Sequence, residues 1–219
     1  MGYAPTEKTP GLLNQLIRFN AVQQALMYLS AALAGRPYMG IGKNLSYRQR
    51  LFFRNKGFTS HYGMAEGDDD LFVSQVATRK NTSVQIDPEN TVRCFAPSSF
   101  GIWARRQSRR YSTIGLHRRG ARAFAALHYW SQFLFYGCFI ALWFLPAAFS
   151  LSVDVPYMAY YLPTLAVLFL MRYISQMVIY RSATRRLGER GLLPGLIFWD
   201  FLFAILTPIL RLSGRMGKD

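Results

Sequence analysis

From Ala123 to Val153 the chain carries no Lys, Arg, Asp or Glu, and that run constrains the fold more than any other feature of the 219 residues. A hydrocarbon core needs roughly 20 mostly apolar residues in helical form, because a rise of about 1.5 Å per residue must cover about 30 Å. The second half of the chain supplies three such stretches. Residues 126–151 are the first, with Tyr129, Trp130 and Trp143 suited to the lipid–water interfaces. Residues 157–180 are the second and hold a single charge, Arg172, whose long stem is expected to reach the headgroups. Residues 192–210 are the third; Asp200 lies in their middle between Pro194 and Pro208, so a full span competes with a tilted or re-entrant helix packed on protein.

Charge sets the expected orientation. Residues 1–126 hold 18 Lys plus Arg against 7 Asp plus Glu, whereas the connection between the first two spans holds Asp154 alone. Positive segments stay on the cytoplasmic side, so residues 1–122 are expected to form a cytoplasmic domain and residues 123–219 a membrane region. The next connection carries Arg181, Arg185, Arg186 and Arg190 against Glu189, which returns the chain to the cytoplasm. Arg211, Arg215 and Lys218 in the tail then favour a third segment that does not cross. A net charge of +15 also suits nucleic acid, but much of it is juxtamembrane, in Arg105, Arg106, Arg109, Arg110, Arg118, Arg119 and Arg122. There each cation gains about 1 kcal/mol against anionic headgroups, so no nucleic-acid partner is expected. Two cysteines, Cys94 and Cys138, make neither a disulfide framework nor a metal pattern.

Residues 11–34 mix apolar and polar positions as an amphipathic helix does, and Gly35-Arg36-Pro37 ends it. Gly40-Ile41-Gly42 would let backbone amides approach a ligand, although a plain turn explains the same glycines. Asp68-Asp69-Asp70 is more informative: adjacent carboxylates repel, and Gly67 before them with Leu71-Phe72-Val73 after them marks a loop-to-helix junction. A general base, a metal site and solvated capping all remain open for this cluster. Downstream, Trp103 and Arg105 to Tyr111 combine guanidinium forks, the Gln107 amide and aromatic rings, which suit phosphates and sugars. A basic helix facing the membrane is the competing explanation.

In combination these motifs resemble the membrane-integrated family-2 glycosyltransferases, which include the cellulose, chitin and hyaluronan synthases. That family has an acidic motif ending in Leu, then Gln-x-x-Arg-Trp on an amphipathic helix, then transmembrane helices. Gly67-Asp68-Asp69-Asp70-Leu71 and Gln107-Ser108-Arg109-Arg110-Tyr111 follow that order, with Gly67 in place of Glu and Tyr111 in place of Trp. The resemblance implies an α/β fold class, namely a partial, C-terminal portion of a GT-A-like nucleotide-diphospho-sugar transferase domain followed by two or three transmembrane helices. It implies an inverting sugar transfer from a nucleotide-sugar donor to a glycan or lipid-linked acceptor, at the inner membrane of a bacterium. Asp68, or Asp69, is the implied catalytic base. Asp70, Gln107, Arg109, Arg110, Tyr111, Trp103, Gly42 and Asn44 are the implied substrate-binding residues. The family also implies a divalent cation, Mg or Mn, held by an Asp-x-Asp motif that this sequence lacks before Asp68. A separate chain carrying the donor-binding half is therefore an expected partner. Two other readings stand beside this one: an inactive membrane remnant or scaffold that binds a partner or polysaccharide, and a small transporter suggested by Asp200 and Arg172.

Overall fold

The computed structural model describes residues 1–59, 67–148 and 155–216, with side chains described except at 145–148, 155–159 and 215–216. Among these residues the chain is almost entirely helical. The helices are α1 (Leu12–Leu33), α2 (Gln49–Arg54), α3 (Asp68–Val76), α4 (Phe100–Thr113), α5 (Arg119–Ala148), α6 (Val155–Arg186) and α7 (Leu196–Met216).

The α/β expectation, with its partial GT-A-like domain, is overturned. Among the described residues there is no sheet, only two isolated parallel bridges, Gly2 with Gln85 and Thr6 with Cys94. The physical reason lies in the extended segments. Residues 1–7 meet other segments at separate points, with Gln85 N–H on the Met1 carbonyl at 2.9 Å, Cys94 N–H on the Pro5 carbonyl at 2.9 Å and Glu7 N–H on the Cys94 carbonyl at 2.8 Å, and no continuous strand forms between them. The expectation came from the resemblance, not from an alternation of strand and helix patterns in the chain.

Helix α1 is the centre of the fold. Gly35 at φ 77° closes it, with its N–H on the Ala32 carbonyl and the Arg36 N–H on the Ala31 carbonyl, the paired bonds of a Schellman motif. Instead of one apolar stripe, α1 buries residues on several faces, including Phe19, Val22, Tyr28, Asn20 and Arg18. Phe19 stacks on Tyr180 at 5.1 Å and on Phe203 at 5.7 Å. One core cluster therefore takes Leu16, Phe19 and Trp103 from one side of residue 123 and Tyr180, Leu196, Trp199 and Phe203 from the other.

A buried ion pair fixes the same junction. Arg18 Nε donates to Glu189 Oε2 at 3.0 Å, Arg18 Nη2 donates to the same carboxylate and to the Arg190 carbonyl, and Tyr3 donates to Glu189 Oε1 at 2.8 Å. The connection between α6 and α7 is thereby held against α1. Arg18 interrupts an apolar helix in the sequence because its partner lies 171 residues away.

Among the described residues two stretches are long and apolar enough to cross a membrane, Tyr160–Arg186 and Leu193–Gly214, by length and composition. Only 6% of the apolar window is buried within the protein in the first, against 39% in the second. The expected span at 126–151 falls within α5 as far as residue 148, and its remainder lies outside the described residues. Along α5, Leu127, Trp130, Phe133, Leu134 and Trp143 are exposed, while His128, Ser131 and Gln132 make its beginning more polar.

The third apolar segment lies along α4 in the same chain direction. Phe203 packs edge-on against Trp103, and the Ser108 hydroxyl donates to the Leu210 carbonyl at 2.8 Å. Its opposite face shows Phe198, Phe201, Ile205, Ile209 and Leu212. Arg172 does not reach outward as expected. Its Nη2 donates to Asp200 Oδ2 at 3.0 Å, where Tyr136 also donates at 2.7 Å, and Gln132 donates to Asp200 Oδ1 at 2.7 Å. The carboxylate in α7 thus ties α5 and α6 together.

Candidate functional site

The site begins at Gly67, the residue before α3. Its φ of 96° is left-handed, and a Cβ there would stand 2.6 Å from Thr113 Cγ2 on α4. A side chain at this position is therefore doubly unfavourable, which gives a physical reason for Gly where the resembling family has Glu. Asp68, Asp69 and Asp70 fill the first turn of α3, where the exposed helix amides favour negative charge.

The helical turn then gives the three carboxylates different surroundings. Asp69 Oδ2 accepts from the Gly42 N–H, and a Cβ on Gly42 would collide with that carboxylate, so Gly42 is required for the approach. Asp68 is half-buried and lines a cleft together with Gly42 and Asp69. Asp70 is 3% exposed, and its Oδ1 has no hydrogen-bond partner among the described residues. Burial raises the Asp70 carboxyl from its ordinary 3.8 to about 7; the Arg110 guanidinium opposes that rise, and Asp69 and Asp68 add to it.

Helix α4 supplies the cationic side. Ser99 caps it by accepting from the Ile102 N–H at 3.3 Å. Gln107 and Arg110 are three residues apart and so share one helix face. Gln24 on α1 joins them: Arg110 Nη1 donates to Gln24 Oε1 at 2.8 Å, and Gln24 Nε2 donates to Gln107 Oε1 at 2.8 Å. Gln24 was not singled out from the sequence. Its only local signal is an amide beside another, Gln23, within a core helix.

Two clefts meet at this face. One, of about 470 Å³, is lined by Asp68, Asp69, Asp70, Gly42, Lys43 and Arg110. The other, of about 370 Å³, is lined by Lys43, Arg106, Gln107, Arg110, Gln24 and Phe95 among others. Ile41, Lys43 and Arg110 are common to both, so an acidic end and a basic end adjoin. Behind Asp70 a small cavity, lined also by Tyr38, His117 and Tyr111, has room for a water molecule. Burial lowers the proton affinity of His117, whose Nδ1 lies 3.1 Å from the Tyr38 carbonyl oxygen.

The remaining expected site residues fall elsewhere. Asn44 is committed to the N-terminal segment, its Nδ2 donating to the Tyr3 carbonyl at 2.7 Å, and the neighbouring Lys43 lines the clefts instead. Trp103 is 2% exposed and belongs to the core. Tyr111 is buried too, edge-on to Tyr129 at 6.1 Å, and burial pushes its phenol up; neither ring offers an open face to a sugar. Arg109 is exposed on the opposite side of α4 from its buried residues.

A divalent cation does not fit the described residues. No group of three or more His, Cys, Asp or Glu side chains among them is placed to hold one. The aspartates turn to different partners, Asp69 to the Gly42 amide and Asp70 into the protein beside Arg110. Comparisons of the chain with protein-family models, with characterised proteins and with solved structures give no match.

Proposed function

We propose that this chain provides the acceptor-activating side of a glycosyl transfer at a membrane, from a nucleotide-sugar donor to a glycan or lipid-linked acceptor. The observation that carries this reading is the Asp70 carboxyl, buried, with one unpartnered oxygen and a proton affinity near neutrality, beside an Arg110 held by Gln24. A base working near pH 7 needs an affinity of that order. Asp70 takes the proton of the acceptor hydroxyl as its oxygen bonds to the anomeric carbon. The bond to the diphosphate breaks on the opposite face, inverting the centre. Lys43, Arg106 and Arg110 meet the charge that develops on the leaving group. The remaining donor contacts come from a second chain in this reading.

The same reading places the chain in a bacterial inner membrane with residues 1–122 in the cytoplasm. Support comes from Arg181, Arg185 and Arg186 at the end of α6 and Arg190 just after it, in a stretch that the Arg18–Glu189 pair holds against α1 on the side of the soluble elements. Interior placement of Trp103 and Tyr111, which leaves neither ring open to a sugar, favours a second reading, a membrane scaffold that binds a partner without turnover.

Native membranes that hold the full chain together with its donor-binding partner, offered a panel of labelled nucleotide sugars, distinguish the two. Transfer into lipid or polymer, reduced by about a hundredfold or more in Asp70→Asn and less in Asp68→Asn, is expected for the enzyme. Full activity in Asp70→Asn would remove the base assignment. No incorporation from any donor would leave the scaffold.

A further inference from the structure

Arg211 on α7 stands with its guanidinium 4.0 Å from the centre of the Tyr129 ring and 5.7 Å from that of Tyr111. The two rings meet edge to face and form an aromatic corner between α4 and α5. Cation–π attraction accounts for where the charge sits, but it uses the flat face of the guanidinium and leaves its edge unsatisfied. Both Nε and Nη2 are shielded from water, and neither has a hydrogen-bond partner among the described residues. The carboxylate on the same helix, Asp200, is engaged by Arg172, Gln132 and Tyr136. His128, next to Tyr129 in sequence and within electrostatic reach of Arg211, likewise has a buried Nε2 without a partner.

Buried donors on a fixed charge are costly to leave unmet, so this corner is built for an acceptor that the described residues do not supply. Nε and Nη2 are the two adjacent donors of the guanidinium fork, the pair that receives two oxygens of one phosphate. The helices that carry the corner are apolar where they are exposed, at Ile209 and Leu212 on α7 and at Leu127 and Trp130 on α5. We infer that Arg211, with His128 beside it, forms a phosphate-binding site that opens on the membrane side of the protein. Its ligand is a phosphate group carried on an apolar lipid or supplied as the free ion. Neither Asp70 nor the Gln107 and Arg110 side chains of α4 take part in binding it.

The test uses the purified full chain in a neutral detergent, with lipid retention read by native mass spectrometry and stability read by thermal unfolding. Three additions are compared: phosphatidic acid, phosphatidylcholine and inorganic phosphate. Retention of phosphatidic acid over phosphatidylcholine, weakened about tenfold in Arg211→Gln and unchanged in Arg185→Gln at an exposed arginine, is expected for a lipid phosphate. Equal stabilisation by inorganic phosphate, lost in the same variant, assigns the site to the free ion. Arg211→Lys keeps the charge but loses the fork, and a several-fold loss there supports the site if the Gln variant fails to fold. Unchanged binding in a folded Arg211 variant, or an equal loss in Arg185→Gln, overturns the inference. Sugar transfer is not measured, so failure here and failure of the proposed enzyme activity are separate outcomes.

Discussion

Arg110 Nη1 donates to Gln24 Oε1 at 2.8 Å, which makes a residue of α1 the support for a motif on α4. Gln24 also donates to Gln107, so one amide sets the positions of both motif members. Gln24→Leu removes an acceptor from a charged donor and leaves Gln107 unpaired. The expected cost is about 1–3 kcal/mol, read by chemical unfolding in detergent. A loss under about 0.5 kcal/mol would mean that water replaces the amide freely. Gln24→Glu keeps an acceptor for Arg110 and should recover most of the stability.

Asp70 makes stability depend on pH in a set direction. Its folded-state value of about 7 lies above its ordinary 3.8, so between these values the folded chain holds a proton that the unfolded chain has released. Stability from this group is complete below about pH 4 and is lost as pH rises through about 7. Asp70→Asn has no proton to lose. Thermal unfolding from pH 5 to 8 should therefore fall more steeply for the native chain than for the variant. Parallel curves would show that Asp70 is ionised throughout.

Much of the site was legible where the relevant physics is local. Gly67 before three carboxylates marks a helix start, and the spacing of Gln107 and Arg110 puts them on one face; both features are present. Gln24 was hidden because its partners lie 83 and 86 residues away. That Asp70 is the one of three adjacent carboxylates that faces the interior is not legible in the sequence alone. The apolar helices show a related limit: a lone Arg172 looks like a stem reaching for headgroups until Asp200 is brought beside it. The α/β expectation rested on the family resemblance, and the extended segments meet only at single bridges.

Gly67 tests the join between α3 and α4. Gly67→Ala adds a methyl 2.6 Å from Thr113 Cγ2 on a backbone at φ 96°. The strained conformation alone costs about 1–2 kcal/mol, and the collision adds to it. Pairing it with Thr113→Ala relieves the collision but not the backbone, so the double variant should recover only part of the loss in unfolding free energy. Full recovery would show that α3 can shift its start.

The Arg18–Glu189 pair predicts an asymmetry between breaking and replacing a buried charge. Glu189→Ala strands a guanidinium that is 4% exposed and removes the acceptor of Tyr3, at an expected cost of about 3–5 kcal/mol. Arg18→Met combined with Glu189→Leu leaves no buried charge and should be the more stable of the two. If both variants unfold alike, the pair contributes through charge rather than by satisfying buried donors. The measurement is unfolding of each variant in the same detergent.

Asp200 extends the same logic into the apolar helices, where three donors from α5 and α6 converge on one carboxylate. Asp200→Asn keeps the shape but replaces the negative charge with a weaker acceptor, leaving the Arg172 cation without its counter-charge. Membrane insertion of α6 should then weaken, because an unpaired Arg near the middle of an apolar helix costs about 2.5–3.5 kcal/mol on insertion scales. Adding Arg172→Met to Asp200→Asn removes the unpaired charge and should restore insertion. Glycosylation-site mapping or protease protection of the α6 segment reads the effect. Equal insertion of the native chain and Asp200→Asn would mean that Arg172 reaches the headgroups once its partner is gone, the behaviour that its long stem permits.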